Sequence, residues 1–154
     1  MTRREFGVLG VAGAALAGFN QAAHGQDKKE APPGHEQHFQ AMLDCAKACA
    51  DCVLECESCS AHCLHHVLGG HKEHAVTLKA CRDCADVCAA AAQIVARSGP
   101  YSMQICDSCA EVCNLCAQEC EKFPDNAKMK KCAQQCRACE KACRDMKKHA
   151  PAAK

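Results

Sequence analysis

Between Cys45 and Cys63 the chain reads C-AKA-C-AD-C-VLE-C-ES-C-SAH-C, six cysteines separated by steps of four, three, four, three and four residues. Residues three and four apart share one face of an α-helix, about 5–6 Å apart at Cβ. That alternation is the seam a bundle helix ordinarily fills with leucine. Here the seam is thiol from end to end. The stretch therefore predicts a helix that buries a row of sulfurs, and the rest of the chain must supply the other walls.

Three further runs supply them. Cys81, Cys84 and Cys88 form one; Cys106, Cys109, Cys113, Cys116 and Cys120 the next; Cys132, Cys136, Cys139 and Cys143 the last, all at steps of three and four. Gly69-Gly70, Ser98-Gly99-Pro100 and Phe123-Pro124-Asp125 break the chain between them. The pattern predicts helices from about His35 to Leu68, His71 to Arg97, Tyr101 to Lys122 and Asn126 to Lys148, with Asp125 capping the last. Short connections force antiparallel neighbours. The expected fold is all-α, an up-down-up-down four-helix bundle over residues 35–149 with a cysteine-lined core.

Residues 1–25 read as an export signal. Thr2-Arg3-Arg4-Glu5-Phe6 resembles a twin-arginine motif, and the apolar run from Gly7 to Phe19 follows it. That run is too short to cross roughly 30 Å of hydrocarbon, so no membrane insertion of the mature protein is expected. Ala23-His24-Gly25 fits cleavage after Gly25. The resemblance implies export of an already folded protein to the periplasm or beyond, so that the thiols fold in a reducing cytosol. Residues 26–34 form a polar leader and 150–154 a disordered tail. With a formal net charge of +1, nothing suggests nucleic acid as a partner.

Eighteen cysteines in 154 residues would ordinarily mark a disulfide-stapled domain. A helical period argues otherwise, because neighbouring side chains on regular turns rarely reach disulfide geometry. Burial as small hydrophobes accounts for one or two cysteines, not for a whole seam on four helices. Metal binding remains. A metal–thiolate bond of about 2.3 Å sets two sulfurs on opposite sides of an ion roughly 4.6 Å apart, within reach of i,i+3 and i,i+4 pairs. Thiolates select Cu(I), Zn(II) or iron–sulfur clusters. Several four-thiolate zinc sites would bury uncompensated negative charge, whereas a monovalent ion near each thiolate leaves the core close to neutral. The spacing C-x2-C-x2-C-x3-C-P of an iron–sulfur protein is absent. Multiple Cu(I) ions fit best; a Zn(II) or Cd(II) buffer stays open.

Counting one turn outward from the seams locates auxiliary ligands. Met42 precedes Cys45 by three, Met103 precedes Cys106 by three and Met146 follows Cys143 by three, so three helices bring thioethers to one mouth, with His35, His38 and His149 nearby. The opposite end collects His62, His65, His66, His71 and His74, of which His66 and His74 keep the inward register. Phe123, Met129 and Leu78 are expected to plug that end as apolar residues.

These four cysteine motifs, over about residues 36–148, resemble the bacterial copper storage protein family, cysteine-lined four-helix bundles that bind Cu(I). The resemblance, with the twin-arginine leader, points to the exported branch. It implies homotetramers, ions entering at a Met/His-lined end, and delivery to a copper enzyme or metallochaperone. The expected role is high-capacity Cu(I) storage, for supply or detoxification, rather than catalysis. A copper chaperone or sensor is the alternative. A thiol redox enzyme lacks both a βαβ context and a single distinguished nucleophile.

Overall fold

A computed structural model describes residues 35–149. The expected export signal, leader and tail lie outside the described residues. Four helices account for most of the rest: α1 is His35–Leu68, α2 Ala75–Ala96, α3 Ser102–Glu121 and α4 Ala127–Asp145. The 34 residues of α1 span about 50 Å at 1.5 Å per residue, well beyond the 19 residues of α4.

The turns form where glycine, serine and asparagine allow. Gly70 takes a φ of +97° just past α1, a conformation that costs glycine nothing. A single 3₁₀ turn, Lys72–His74, then leads into α2, so the regular helix starts four residues later than the expected His71. After α2 it is Ser98, not the neighbouring glycine, that turns left-handed, at φ 51°. Gly99 is needed for a different reason: a Cβ there would lie 3.1 Å from the Ile94 carbonyl oxygen. The buried Ser102 hydroxyl donates to the Gly99 carbonyl at 2.7 Å and holds this corner. The cap of α4 is Asn126 rather than Asp125, its side-chain oxygen accepting from the backbone N–H of Lys128 and Met129.

Each helix packs against two neighbours, α1 on α2 and α4, and α3 on α2 and α4. Among the described residues the diagonal pairs make no backbone approach. The space between them holds sulfur. Outside the ring, Glu55 of α1 clamps α4 through Lys128 at 2.6 Å and Lys131 at 2.7 Å. Arg137 of α4 reaches Glu121 of α3 at 2.9 Å and Asn114 at 2.6 Å. Burial works against the Glu55 charge, but the Lys128 and Lys131 ammonium groups outweigh it and hold the carboxyl below its ordinary range.

Candidate metal centre

The register of the four seams places every cysteine in the core. All eighteen are free thiols and buried. Along α1 and the antiparallel α4 they meet in rungs: Cys45–Cys143 at 3.8 Å, Cys49–Cys139 at 3.7 Å, Cys52–Cys136 at 3.9 Å and Cys56–Cys132 at 4.0 Å between sulfurs. The parallel α3 joins the same levels through Cys45–Cys106 at 3.8 Å, Cys49–Cys109 at 4.0 Å and Cys52–Cys113 at 4.0 Å. From α2, Cys88 lies 3.5 Å from Cys113 and 3.6 Å from Cys109, and Cys81 lies 3.8 Å from Cys120. Toward the Cys45 level, Ala91 and Val95 continue the α2 seam in place of thiols.

Groups of four sulfurs lie within 4.8 Å of one another, and neighbouring groups share members. Cys52 and Cys84 belong both with Cys88 and Cys113 and with Cys56 and Cys136; Cys132 joins Cys56, Cys116 and Cys136 as well as Cys59, Cys81 and Cys120. The separations cover both the roughly 4.6 Å of a linear two-sulfur ion and the shorter edge, about 4 Å, of a three-sulfur one. Cys49, Cys109, Cys139 and Cys143 share no member with Cys52, Cys84, Cys88 and Cys113, but elsewhere along the column one thiol belongs to two groups.

Among the described residues no lysine or arginine is buried: the buried polar and charged residues are Glu55, Ser60, His74, Thr77 and Ser102, and Glu55 is spent on its two lysines. The thiols instead hydrogen-bond among themselves. Bonding to Cys113 pulls the Cys52 thiol down and bonding to Cys116 pulls Cys132 down, whereas Cys109 pushes Cys113 up and Cys116 pushes Cys136 up. Acceptors ionise first and donors keep their protons, so the network titrates as a unit. Soft cations binding these sulfurs would displace the protons that remain.

The family model described as copper storage protein matches residues 37–148. The chain belongs to the copper storage protein family. A cysteine-rich protein of Bacillus subtilis, YhjQ, is 35% identical over 111 residues, covering 72% of this chain and 94% of that one. The Cu(I)-bound copper storage protein BsCsp3 superposes with a TM-score of 0.60 at 34% identity, covering 70% of this chain and 98% of the other. Ccsp from Streptomyces lividans, loaded with 10 copper equivalents, gives a TM-score of 0.66 at 29% identity, over 72% and 86%.

The remaining residues of interest in this copper storage family member lie at the two ends of the column. At one end the ladder does not stop at its last cysteine pair. Met129, fully buried, brings its sulfur to 3.4 Å from Cys59 and 3.9 Å from Cys63. The expected plug is thus the next rung of the α1–α4 ladder, with a thioether in place of a thiol. It keeps the three-residue step before Cys132, the same counting that locates Met42 and Met103. Leu78 packs half-buried against the core as expected. Phe123 packs there too, but as one face of an aromatic stack: Phe123–His74 centroids are 4.3 Å apart and His74–His66 4.5 Å. His74 is buried, and its Nδ1 has no hydrogen-bond partner. Its ring interacts with the Cys63 thiol, which Cys59 first, then Cys81 and His74, hold low. Partial desolvation and the surrounding imidazoles hold His66 below the ordinary histidine range. His62 is occupied otherwise. Its Nε2 lies 3.0 Å from the Asn126 Nδ2, and since the Asn126 oxygen already accepts two backbone N–H groups, the ring nitrogen is the acceptor.

The other end separates the three methionines expected at one mouth. Met42 and Met103 share a cavity of about 240 Å³ with His38, while Met146 lines a different one, of about 290 Å³, with Cys45. Met42 and Met146 are buried and close over the top of the column; Met103 is half-buried. His35 opens α1; the side chains of His35 and His149 lie outside the described ones.

Proposed function

We propose that this chain is a high-capacity Cu(I) store, its ions held by the eighteen core thiolates. One observation carries the reading: a continuous thiol column whose four-sulfur groups partly overlap, with no lysine or arginine buried among the described residues, which a monovalent soft ion neutralises and a set of zinc tetrathiolates does not. Two solved relatives, one Cu(I)-bound and one loaded with 10 copper equivalents, support it. Anaerobic titration of reduced protein with Cu(I) against a competing chelator tests it. Uptake approaching one ion per cysteine is expected; saturation at about four ions, with divalent zinc binding equally well, would overturn the reading in favour of a buffer. A copper chaperone or sensor would saturate at one or two ions.

The ends supply neutral ligands for traffic. His74, a buried ring that interacts with Cys63, and Met129, whose sulfur lies 3.9 Å from Cys63, make the histidine end the way in, with His66 as the outer contact. Met146 beside Cys45, and Met42, Met103 and His38 around the neighbouring cavity, serve as auxiliary ligands at the far end, and His35 lies one helical turn before His38 in α1. The leader with Thr2-Arg3-Arg4 sends the store to the periplasm or beyond, for hand-over to a copper enzyme or metallochaperone. Assembly into a homotetramer is supported by an exposed apolar stripe along α1 (Phe39, Leu43, Leu54, Leu64 and Leu68), which falls on one helical face. Sedimentation of the mature protein measures it.

A further inference from the structure

The seam between α1 and α4 is closed at one place and open at another. Near its middle, Glu55 reaches across to Lys128 and Lys131. Toward the Cys45 end the facing positions are Ala41 on α1 and Ala138 and Ala142 on α4, and these short side chains leave the cavity of about 290 Å³ on the flank of the bundle. Its floor is Cys45, whose 2% exposure is the highest among the eighteen thiols. The axial route is shut there by the buried Met42 and Met146, and the neighbouring cavity beside His38, Met42 and Met103 touches no thiol. Among the described residues the flank is therefore the way from solvent to sulfur at this end. The rim carries both signs: the Lys141 ammonium, paired with Asp145 at 2.7 Å, and the carboxylate of Asp44.

We infer that this flank cavity is an exchange site for a small zwitterionic thiol, of the class of a free amino-acid or short-peptide thiol, which removes stored Cu(I) through Cys45. The inference rests on the storage reading. The cavity is at the small end of the range for ligand pockets; it admits such a molecule and excludes a folded protein. The ligand's carboxylate matches Lys141 and its ammonium matches Asp44, which places its sulfur toward the floor. Cys45 is the suitable sulfur to displace, since it sits at the end of the column, 3.8 Å from Cys106 and 3.8 Å from Cys143. The step is a ligand exchange. A bond forms between the incoming sulfur and Cu(I), and the bond from Cu(I) to the Cys45 sulfur breaks. The proton of the incoming thiol passes to Cys45, and the copper stays monovalent, so no electron moves. A second exchange, replacing Cys143 or Cys106, frees the ion with two small ligands.

The experiment uses full-length protein loaded anaerobically with Cu(I). Transfer to a bulky anionic chromogenic chelator is followed alone, with L-cysteine, and with the uncharged thiol 2-mercaptoethanol. L-cysteine is expected to accelerate transfer well beyond 2-mercaptoethanol. Ala138→Leu, which extends a side chain over the opening, is expected to slow the cysteine-dependent rate about tenfold while copper content stays unchanged. Ala90→Leu, an exposed alanine on α2, serves as control and leaves the rate as it was. Lys141→Glu, on a side chain that is mostly exposed, disturbs no packing and is expected to abolish the preference for L-cysteine over 2-mercaptoethanol. In copper-free protein a small alkylating reagent is expected to label Cys45 first, read by peptide mass. Wild-type release rates in both Ala138→Leu and Lys141→Glu overturn the inference. Failure of wild-type protein to hold more than a few Cu(I) ions overturns the storage reading instead, and the titration shows which has failed.

Discussion

The column ends in two ways. At one end the last thiols, Cys59 and Cys63, meet a thioether, Met129, and an imidazole, His74, with an outward run of further imidazoles. At the other, Cys45 lies beneath methionines that block the axis, and small side chains open the flank. The same α1–α4 ladder reaches both, so the contrast arises from what replaces cysteine at the next seam position. Imidazole and thioether donors beside the last thiols suit capture, because the step inward exchanges a weaker Cu(I) ligand for a thiolate. A lid with a side opening suits removal, because a competing ligand reaches one sulfur without disturbing the rest.

The largest expected effect that would sharpen this contrast is on Met129. Met129→Ala should lower the stability of the copper-free bundle by about 3 kcal/mol, read by chemical denaturation, because the side chain is fully buried. Met129→Leu should cost less than about 1.5 kcal/mol yet slow Cu(I) uptake, separating sulfur chemistry from packing. Uptake at the wild-type rate in Met129→Leu would leave the rung a plug.

Next is the closed part of the α1–α4 seam. Glu55→Gln is expected to cost about 2 kcal/mol near neutral pH, since hydrogen bonds from two ammonium groups are lost at a buried carboxyl. The folded-state pKa of Glu55 is lowered. Its stabilisation is therefore full above the unfolded value of about 4.3 and disappears as pH falls through the lower folded value. Thermal denaturation of both proteins from pH 7 down to pH 3 should show the difference shrinking on the acid side. A constant difference would exclude the charge as its cause.

A smaller effect concerns the direction of traffic. His74→Ala should slow Cu(I) uptake about tenfold in stopped flow, equivalent to about 1.4 kcal/mol in the barrier, with little change in capacity. If Met103→Leu slows uptake more than His74→Ala does, the assignment of the ends is reversed. The smallest effect is at the cap beside the histidine end. Asn126→Ala should cost about 1 kcal/mol, whereas Asp125→Ala should be nearly neutral.

Most of this architecture was readable from spacing alone. Steps of three and four place Cys45 through Cys143 on inward faces whatever the helices pack against, and the breakers at Gly69-Gly70 and Pro124 bound the elements. Where the reading fell short, the answer depended on distances between helices. Met129 reads as an apolar plug until α4 is set in register against α1 and its sulfur falls beside Cys59. Met42, Met103 and Met146 share a level, but lateral separation puts them in two cavities, and a level is all that counting gives. Asp125 and Asn126 are both good caps by type. The 3₁₀ bonding from the Asn126 N–H back to the Phe123 carbonyl decides which of them enters the helix. The pairing of His62 with that cap is a contact across 64 residues that no local pattern encodes.

Shared thiols have a consequence for how such a column fills. An ion seated among Cys56, Cys116, Cys132 and Cys136 would fix and deprotonate Cys132, which also belongs with Cys59, Cys81 and Cys120. A second ion would then meet a sulfur already ordered and already charged, and bind more readily than the first. Filling would resemble growth from a seed rather than independent occupation of equivalent seats. At half loading, native mass spectrometry should find molecules that are nearly full beside molecules that are nearly bare, and an even spread of intermediate contents would argue that the groups act separately.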